Sequence, residues 1–218
     1  MFAAAGWYGD TLELAAGDYK CDGGANAYTR DTTQYSAGLH ISKPIVIKGV
    51  KAGTDARGRS VIGLGNNAYD NVADGQDAAE SNIYNKVARD TTISIQASDV
   101  TLDGLTITGD KDKNLVNVID IFANTGETFA RIKITNCVIR HVVTSGKLHA
   151  INFQFKGTLS DIELSNNEIR DFGKSSSADV HAIYLGNTGT FNTPNQIKNS
   201  YLQVIKVKNT AYIKATGS

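Results

Sequence analysis

The sequence carries no surplus of charge: Lys and Arg number 22, and so do Asp and Glu. A general nucleic-acid binder needs a basic excess, so nucleic acid is not an expected partner, although a local basic groove would not show in the total. No apolar run approaches the ~18 residues of a membrane-spanning helix, and membrane insertion is not expected. The N-terminal "MFAAAGWYGD" has no positively charged opening, and Gly6 and Gly9 interrupt its apolar run. It does not read as a secretory signal. The chain is therefore expected to be made without a signal, or to be a trimmed piece of a longer protein. Familiar reaction motifs are missing as well: there is no Gly-x-Ser-x-Gly, P-loop or Cys-x-x-Cys. The two cysteines, Cys21 and Cys137, cannot be paired from sequence. The apolar neighbours of Cys137 mark it as a buried free thiol.

Proline (2) and methionine (1) are scarce, while glycine reaches 21 and hydrophobic residues 41%. Asn, Thr and Ser are frequent. The 218 residues are enough for one sizeable core. Small polar residues among isolated Ile, Val and Leu suit a protein of strands and turns.

Three segments repeat. "DVTLDGLTIT" (Asp99–Thr108), "RIKITNCVIR" (Arg131–Arg140) and "DIELSNNEIR" (Asp161–Arg170) each alternate apolar and polar residues, reach Gly104, Asn136 or Asn166, and then resume alternation. A second pattern recurs in step: "VNVIDI" from Val116, "LHAINF" from Leu148 and "VHAIYL" from Val180. Period-2 alternation means strand, and the joints are turn formers. Two strand patterns repeating together imply a solenoid of stacked parallel coils, about six of them with roughly 22–32 residues each. The whole chain, 1–218, then forms one domain. Earlier strands fall in "DTLELAAGDYK" from Asp10, "LHISKPIVIKGV" from Leu39, "SVIGL" from Ser60 and "TTISIQA" from Thr91. Residues 65–90 show no alternation and are expected to be a long loop excursion, with room for a short helix in "DGQDAAESNIYNKV".

Two phrases carry a resemblance. "GDTLELAAGDYK" and "ISKPIVIKGVKAGTDARGRSVIGL" (Ile41–Leu64) resemble the opening coils of the right-handed parallel β-helix superfamily, the pectate-lyase-like fold, and of bacterial and phage surface members in particular. The likeness implies an all-β, right-handed parallel β-helix. It extends to the alginate lyase and chondroitinase B family, whose early coils are similar in phrasing. That family's catalytic Lys and Arg come from later coils, and nothing here matches them. Fold alone does not decide activity in this superfamily.

Candidate chemistry is confined to a few positions. His149 and His181 share one repeat position, and counting parity places them on the side of Ile151 and Ile183, toward the interior. They are either a stacked polar pair at a coil corner or a base or metal pair, and Asn117 holds the place of a third ligand. Asp120, Asn152 and Tyr184 form the outward row of the same face, either a solvated surface or a plate for a sugar chain. Arg140, Arg170 and Lys147 are the cations that a lyase would set against a uronate carboxylate, with His149 and His181 as accompanying bases; ion pairs at a turn are the structural alternative. Asn136 and Asn166 share an inward position before a bend, where Asn tolerates left-handed backbone, and read as a stacked amide ladder. No metal or cofactor is expected from these positions. The acid-rich loops "GDKDK" (Gly109–Lys113) and "YDNVADGQD" (Tyr69–Asp77) are the only places for calcium, and neither has EF-hand or calcium β-roll spacing.

The C-terminal "YLQVIKVKNTAYIKATGS" alternates like a strand and has no terminating helix. An open coil end invites pairing, so self-association or a neighbouring subunit is expected there. Two functions follow. One is a structural or adhesive subunit at the cell surface, outside the cell or on a virion, with polysaccharide as a contact. The other is a polysaccharide lyase for acidic glycans.

Overall fold

The computed structural model describes residues 10–21, 26–50, 81–85, 90–109, 116–140, 148–153, 156–169, 180–186, 190–192, 196–198, 201–202 and 211–216. These hold twenty strands and no helix. The first round of the chain contains β1 (Thr11–Glu13), β2 (Gly17–Cys21), β3 (Asn26–Arg30) and β4 (Thr33–Ile41). The second contains β5 (Ile45–Lys48), β6 (Ser81–Asn85) and β7 (Thr91–Ile95), and the third β8 (Val100–Asp103), β9 (Thr106–Gly109) and β10 (Asn117–Ile121). The fourth contains β11 (Thr128–Thr135), β12 (Val138–Ile139) and β13 (Leu148–Phe153). The fifth contains β14 (Thr158–Ser165), β15 (Glu168–Ile169) and β16 (Val180–Gly186). The sixth contains β17 (Thr190–Asn192), β18 (Gln196–Lys198), β19 (Tyr201–Leu202) and β20 (Ala211–Thr216).

Each round supplies three sheets in the same order. Sheet I runs β1-β5-β8-β11-β14-β17, with β18 also on β14; sheet II runs β2-β6-β9-β12-β15-β19; sheet III runs β3-β4-β7-β10-β13-β16-β20. The protein is all-β, and among these strands only the β3–β4 pair is antiparallel. The repeat offsets seen in the sequence are pairing registers: Val100 pairs Ile132, Ile132 pairs Ile162, and His149 pairs His181.

In-register stacking builds the core. Ile93, Ile119, Ile151 and Ile183 form one row, and Ile83, Ile107, Ile139 and Ile169 another. All are buried in one apolar cluster. Each such side chain contributes about 1.5–3 kcal/mol by leaving water.

Two bends repeat with the rounds. Gly104, Asn136 and Asn166 have φ of 67°, 55° and 55°, the left-handed region that Gly and Asn enter most readily. Asn166 donates to Asn136 Oδ1 at 3.4 Å, and Asn136 donates to Asp103 Oδ1 at 2.6 Å. The expected amide ladder is present, at a half-buried bend rather than pointing inward. The inner amide is Asn167, where the neighbouring repeats have Leu105 and Cys137. Its Oδ1 accepts from the Cys137 N–H at 2.9 Å, and its Nδ2 donates to the Ile134 carbonyl at 2.7 Å. The second bend has Asp99, Arg131 and Asp161 with φ of 59°, 57° and 52°, and Arg131 grips Asp99 at 2.5 and 2.7 Å.

The expected excursion at 65–90 is corrected in part. Residues 81–85 form β6, in register between β2 and β9. "SNIYN" has no clear alternation because both faces of this strand are buried and Asn82 is held by Thr108 and Asp18. Neighbouring strands, not local pattern, make it a strand. It also occupies five residues, Ser81–Asn85, of the segment read as a short helix. The strand expected at Ser60–Leu64 and the rest of 65–89 lie outside the described residues.

Cys21 and Cys137 are both free thiols. Burial pushes the Cys137 thiol up to about 12, and its Sγ lies 3.2 Å from the Thr135 carbonyl. Native protein should therefore leave Cys137 unlabelled by a thiol reagent at mildly alkaline pH and expose it only on unfolding, as mass spectrometry of the labelled chain would show. Substituting Asn167→Leu strands the buried Cys137 N–H, at a cost of about 1–3 kcal/mol. Urea titration should register a loss of about 1–3 kcal/mol; a loss well below 1 kcal/mol would remove Asn167 from the framework.

Candidate functional site

Sheet III carries the polar residues singled out in the sequence. Its strands β7, β10 and β13 are buried along their whole length. Two polar rows cross it at the strand spacing of roughly 4.8 Å. The first is Thr91, Asn117, His149 and His181. The second is His40, Ser94, Asp120, Asn152 and Tyr184.

Both rows stand on one face, which corrects the parity count for the histidines. The His149 ring stacks on Tyr184 at 4.3 Å between centroids and 7° between planes. The physical reason lies one residue further on. Val118, Ala150 and Ala182 join the apolar cluster together with their neighbours Ile119, Ile151 and Ile183. Two consecutive inward residues break the alternation, so His149 shares the outward side with Asn152 rather than the inward side with Ile151.

That side is not solvated surface. Asp120 and Asn152 are each 0% exposed. The hairpin β3–β4 supplies much of the cover for Asp120. In β3, Ala27 and Thr29 are exposed while Tyr28 is buried, which sets Tyr28 and Arg30 toward the sheet. The Tyr28 hydroxyl donates to Asp120 Oδ2 at 2.8 Å, Arg30 Nη1 donates to the same oxygen at 3.2 Å, and Asn152 Nδ2 donates to Oδ1 at 2.7 Å. Tyr28 has one proton, given to the carboxylate, so Thr91 Oγ1 at 3.1 Å is the donor to the phenol oxygen. Tyr28 also stacks against Tyr35 and His40 at 5.7 and 5.6 Å, and Arg30 lies 4.2 Å over the Tyr35 ring. At the hairpin tip, the Asp31 N–H donates to Asn124 Oδ1 at 2.6 Å, and Lys156 reaches Asp31 at 3.0 Å.

Electrostatics follow from this packing. Burial raises the Asp120 pKa, and the charge of Arg30 with the three donors opposes that rise. Burial next to Asp120 raises the Tyr28 pKa as well, keeping the phenol a donor. His40 is held below the ordinary histidine range by burial.

The histidines meet directly. Nδ1 of His149 and Nδ1 of His181 are 3.2 Å apart, and the ring centroids are 5.1 Å apart. Arg140 is 2% exposed, with its backbone N–H on the Ile107 carbonyl. Arg170 and Lys147 lie outside the described residues, as do the acid-rich loops apart from Gly109. Among the described residues, no three His, Cys, Asp or Glu side chains converge as a metal-binding group. Chemically, the face is a polar seam whose carboxylate accepts from three donors. Thr91 and Ser94 were missed in the sequence, although "TTISI" aligns with "NVIDI". Tyr28 and Arg30 were also missed; their only local signal is period-2 alternation ahead of β4.

Replacing Asp120 with Ala leaves Arg30 without its buried partner, and breaking such a pair costs about 3–5 kcal/mol. Tyr28→Phe removes one hydrogen bond to a charged group and should cost less, about 1.5–3 kcal/mol. Chemical denaturation of both variants checks the order, and an Asp120→Ala chain as stable as the parent would refute the central place of this carboxylate. Comparison with known proteins found no matching family model, no matching curated protein and no matching solved structure.

Proposed function

We propose that the chain is a right-handed parallel β-helix, a solenoid of six coils, that serves as a structural or adhesive subunit of an extracellular, cell-surface or virion assembly. The observation that carries this reading is the fate of the polar side chains on sheet III. Asp120, Asn152, His149 and His181 are the groups a glycan-active site would use, and all four are buried. Asp120 accepts from three side chains on two strands. These groups tie one round of chain to the next, as a rigid rod requires. A general acid or base needs reach to a substrate proton, and a carboxylate that is 0% exposed has none.

The solenoid reading also accounts for the sheet edges. β17, β18, β19 and β20 are the last described strands of the three sheets. Parallel edges of this kind are met by a further coil or a second copy. The outer walls, with Tyr184 half-exposed, supply the surface for polysaccharide contact.

Purified chain should form end-to-end oligomers by electron microscopy and light scattering. Mixed with alginate, pectin or chondroitin sulfate, it should produce no ultraviolet absorbance from an unsaturated uronate. Monomers at every concentration, together with steadily growing absorbance, would overturn this reading in favour of a lyase for acidic glycans.

A further inference from the structure

We propose that His149 and His181 form an acid-sensitive joint between the fourth and fifth rounds of the chain, closed when the pair holds one proton between its facing nitrogens and opened when both rings are protonated. This rests on the geometry of the pair and is independent of the role proposed above.

The two Nδ1 atoms face each other at 3.2 Å, with the residues 1% and 2% exposed. At that separation one nitrogen carries the proton and the other offers the lone pair, because an imidazole nitrogen is a donor or an acceptor but not both. A cation on both rings places N–H against N–H, with no acceptor between them and two like charges in contact. The two cations then repel across the β13–β16 pairing, and moving the rings apart loads that pairing.

The surroundings favour that outcome. From β10, the neutral Asn117 pairs His149, and Asp120 stands in the next row. The Asp120 carboxylate is already engaged by Tyr28 and Arg30 of β3 and by Asn152, so it is not free to swing toward a second imidazolium. From β16, the Tyr184 ring lies flat on His149. From β20, Ala211 pairs His181 and Lys214 pairs Tyr184. Asn117 shows that a neutral amide fits the row, which makes Asn the replacement of choice.

His40 must be separated from the pair. Burial lowers its pKa in the folded chain, so its contribution to stability is present above the unfolded histidine value of about 6.5 and is lost as the pH falls below it. That loss is common to the parent and to variants at 149 or 181, and it cancels in their comparison.

The test uses the full chain and three versions: parent, His149→Asn and His181→Asn. Thermal midpoints are compared between about pH 7.5 and about pH 5, spanning the histidine range. The parent midpoint should fall further than either variant's, by about 3 °C or more for a chain of this size. Hydrogen exchange, corrected for intrinsic pH dependence, should quicken in acid at β13 and β16 of the parent. Equal acid sensitivity in parent and variants would overturn the proposal. So would a pH effect that vanishes with a chelator and returns with zinc, because the pair would then be a metal site. Should neither variant fold, exchange in the parent decides: acceleration confined to β13 and β16 supports the joint, and uniform acceleration defeats it.

Discussion

Parallel pairing in register, one round of chain upon the next, is the constraint on which everything else here depends. It sets each residue directly above its equivalent from the previous round. Each position must therefore tolerate a copy of its own chemistry about 5 Å away. Isoleucine meets that demand easily, because apolar side chains stacked in a column exclude water from one another. Amides meet it too, since each Asn is both donor and acceptor and can bond the Asn below.

Charge does not tolerate such stacking, and the polar columns show how the conflict is resolved. At one bend the column reads Asp99, Arg131, Asp161, alternating in sign. In sheet III, Asp120 stands between Ser94 and Asn152, so no second carboxylate abuts it. Its counter-charge arrives from outside the repeat, in Arg30 of the β3–β4 hairpin. The histidines are the exception: like sits on like at 3.2 Å, which a single proton between them permits. The hairpin is thus more than an edge strand. It provides the cation that lets a fully buried carboxylate persist, and it covers part of a seam that would otherwise lie open.

How much of this was legible differed by position. The columns around Val100, Ile132 and Ile162, and around Asn117, His149 and His181, were readable because each alternating pattern recurs at a nearly constant offset. The amide bend was readable because Gly, Asn and Asn are the residues that accept positive φ. β6 was not, because "SNIYN" has no periodicity of its own and is held by strands distant in sequence. The outward direction of His149 was misread because alternation fails at Ala150, where two neighbours in a row turn inward. Nothing in the local sequence around residue 28 indicates that Tyr28 and Arg30 lie over Asp120, some ninety positions away.

The sequence by itself determined that strands recur, which residues share a column and where the bends fall. These are properties of period and residue type, and both are local. Tertiary structure alone decided which face of a column meets solvent, which charges find partners and which strands exist without a pattern. Those depend on what a segment distant in the chain brings into contact, and the covering hairpin over Asp120 is the clearest case. A row read as an outer face, solvated or ligand-binding, became, once covered, the seam that binds the rounds together.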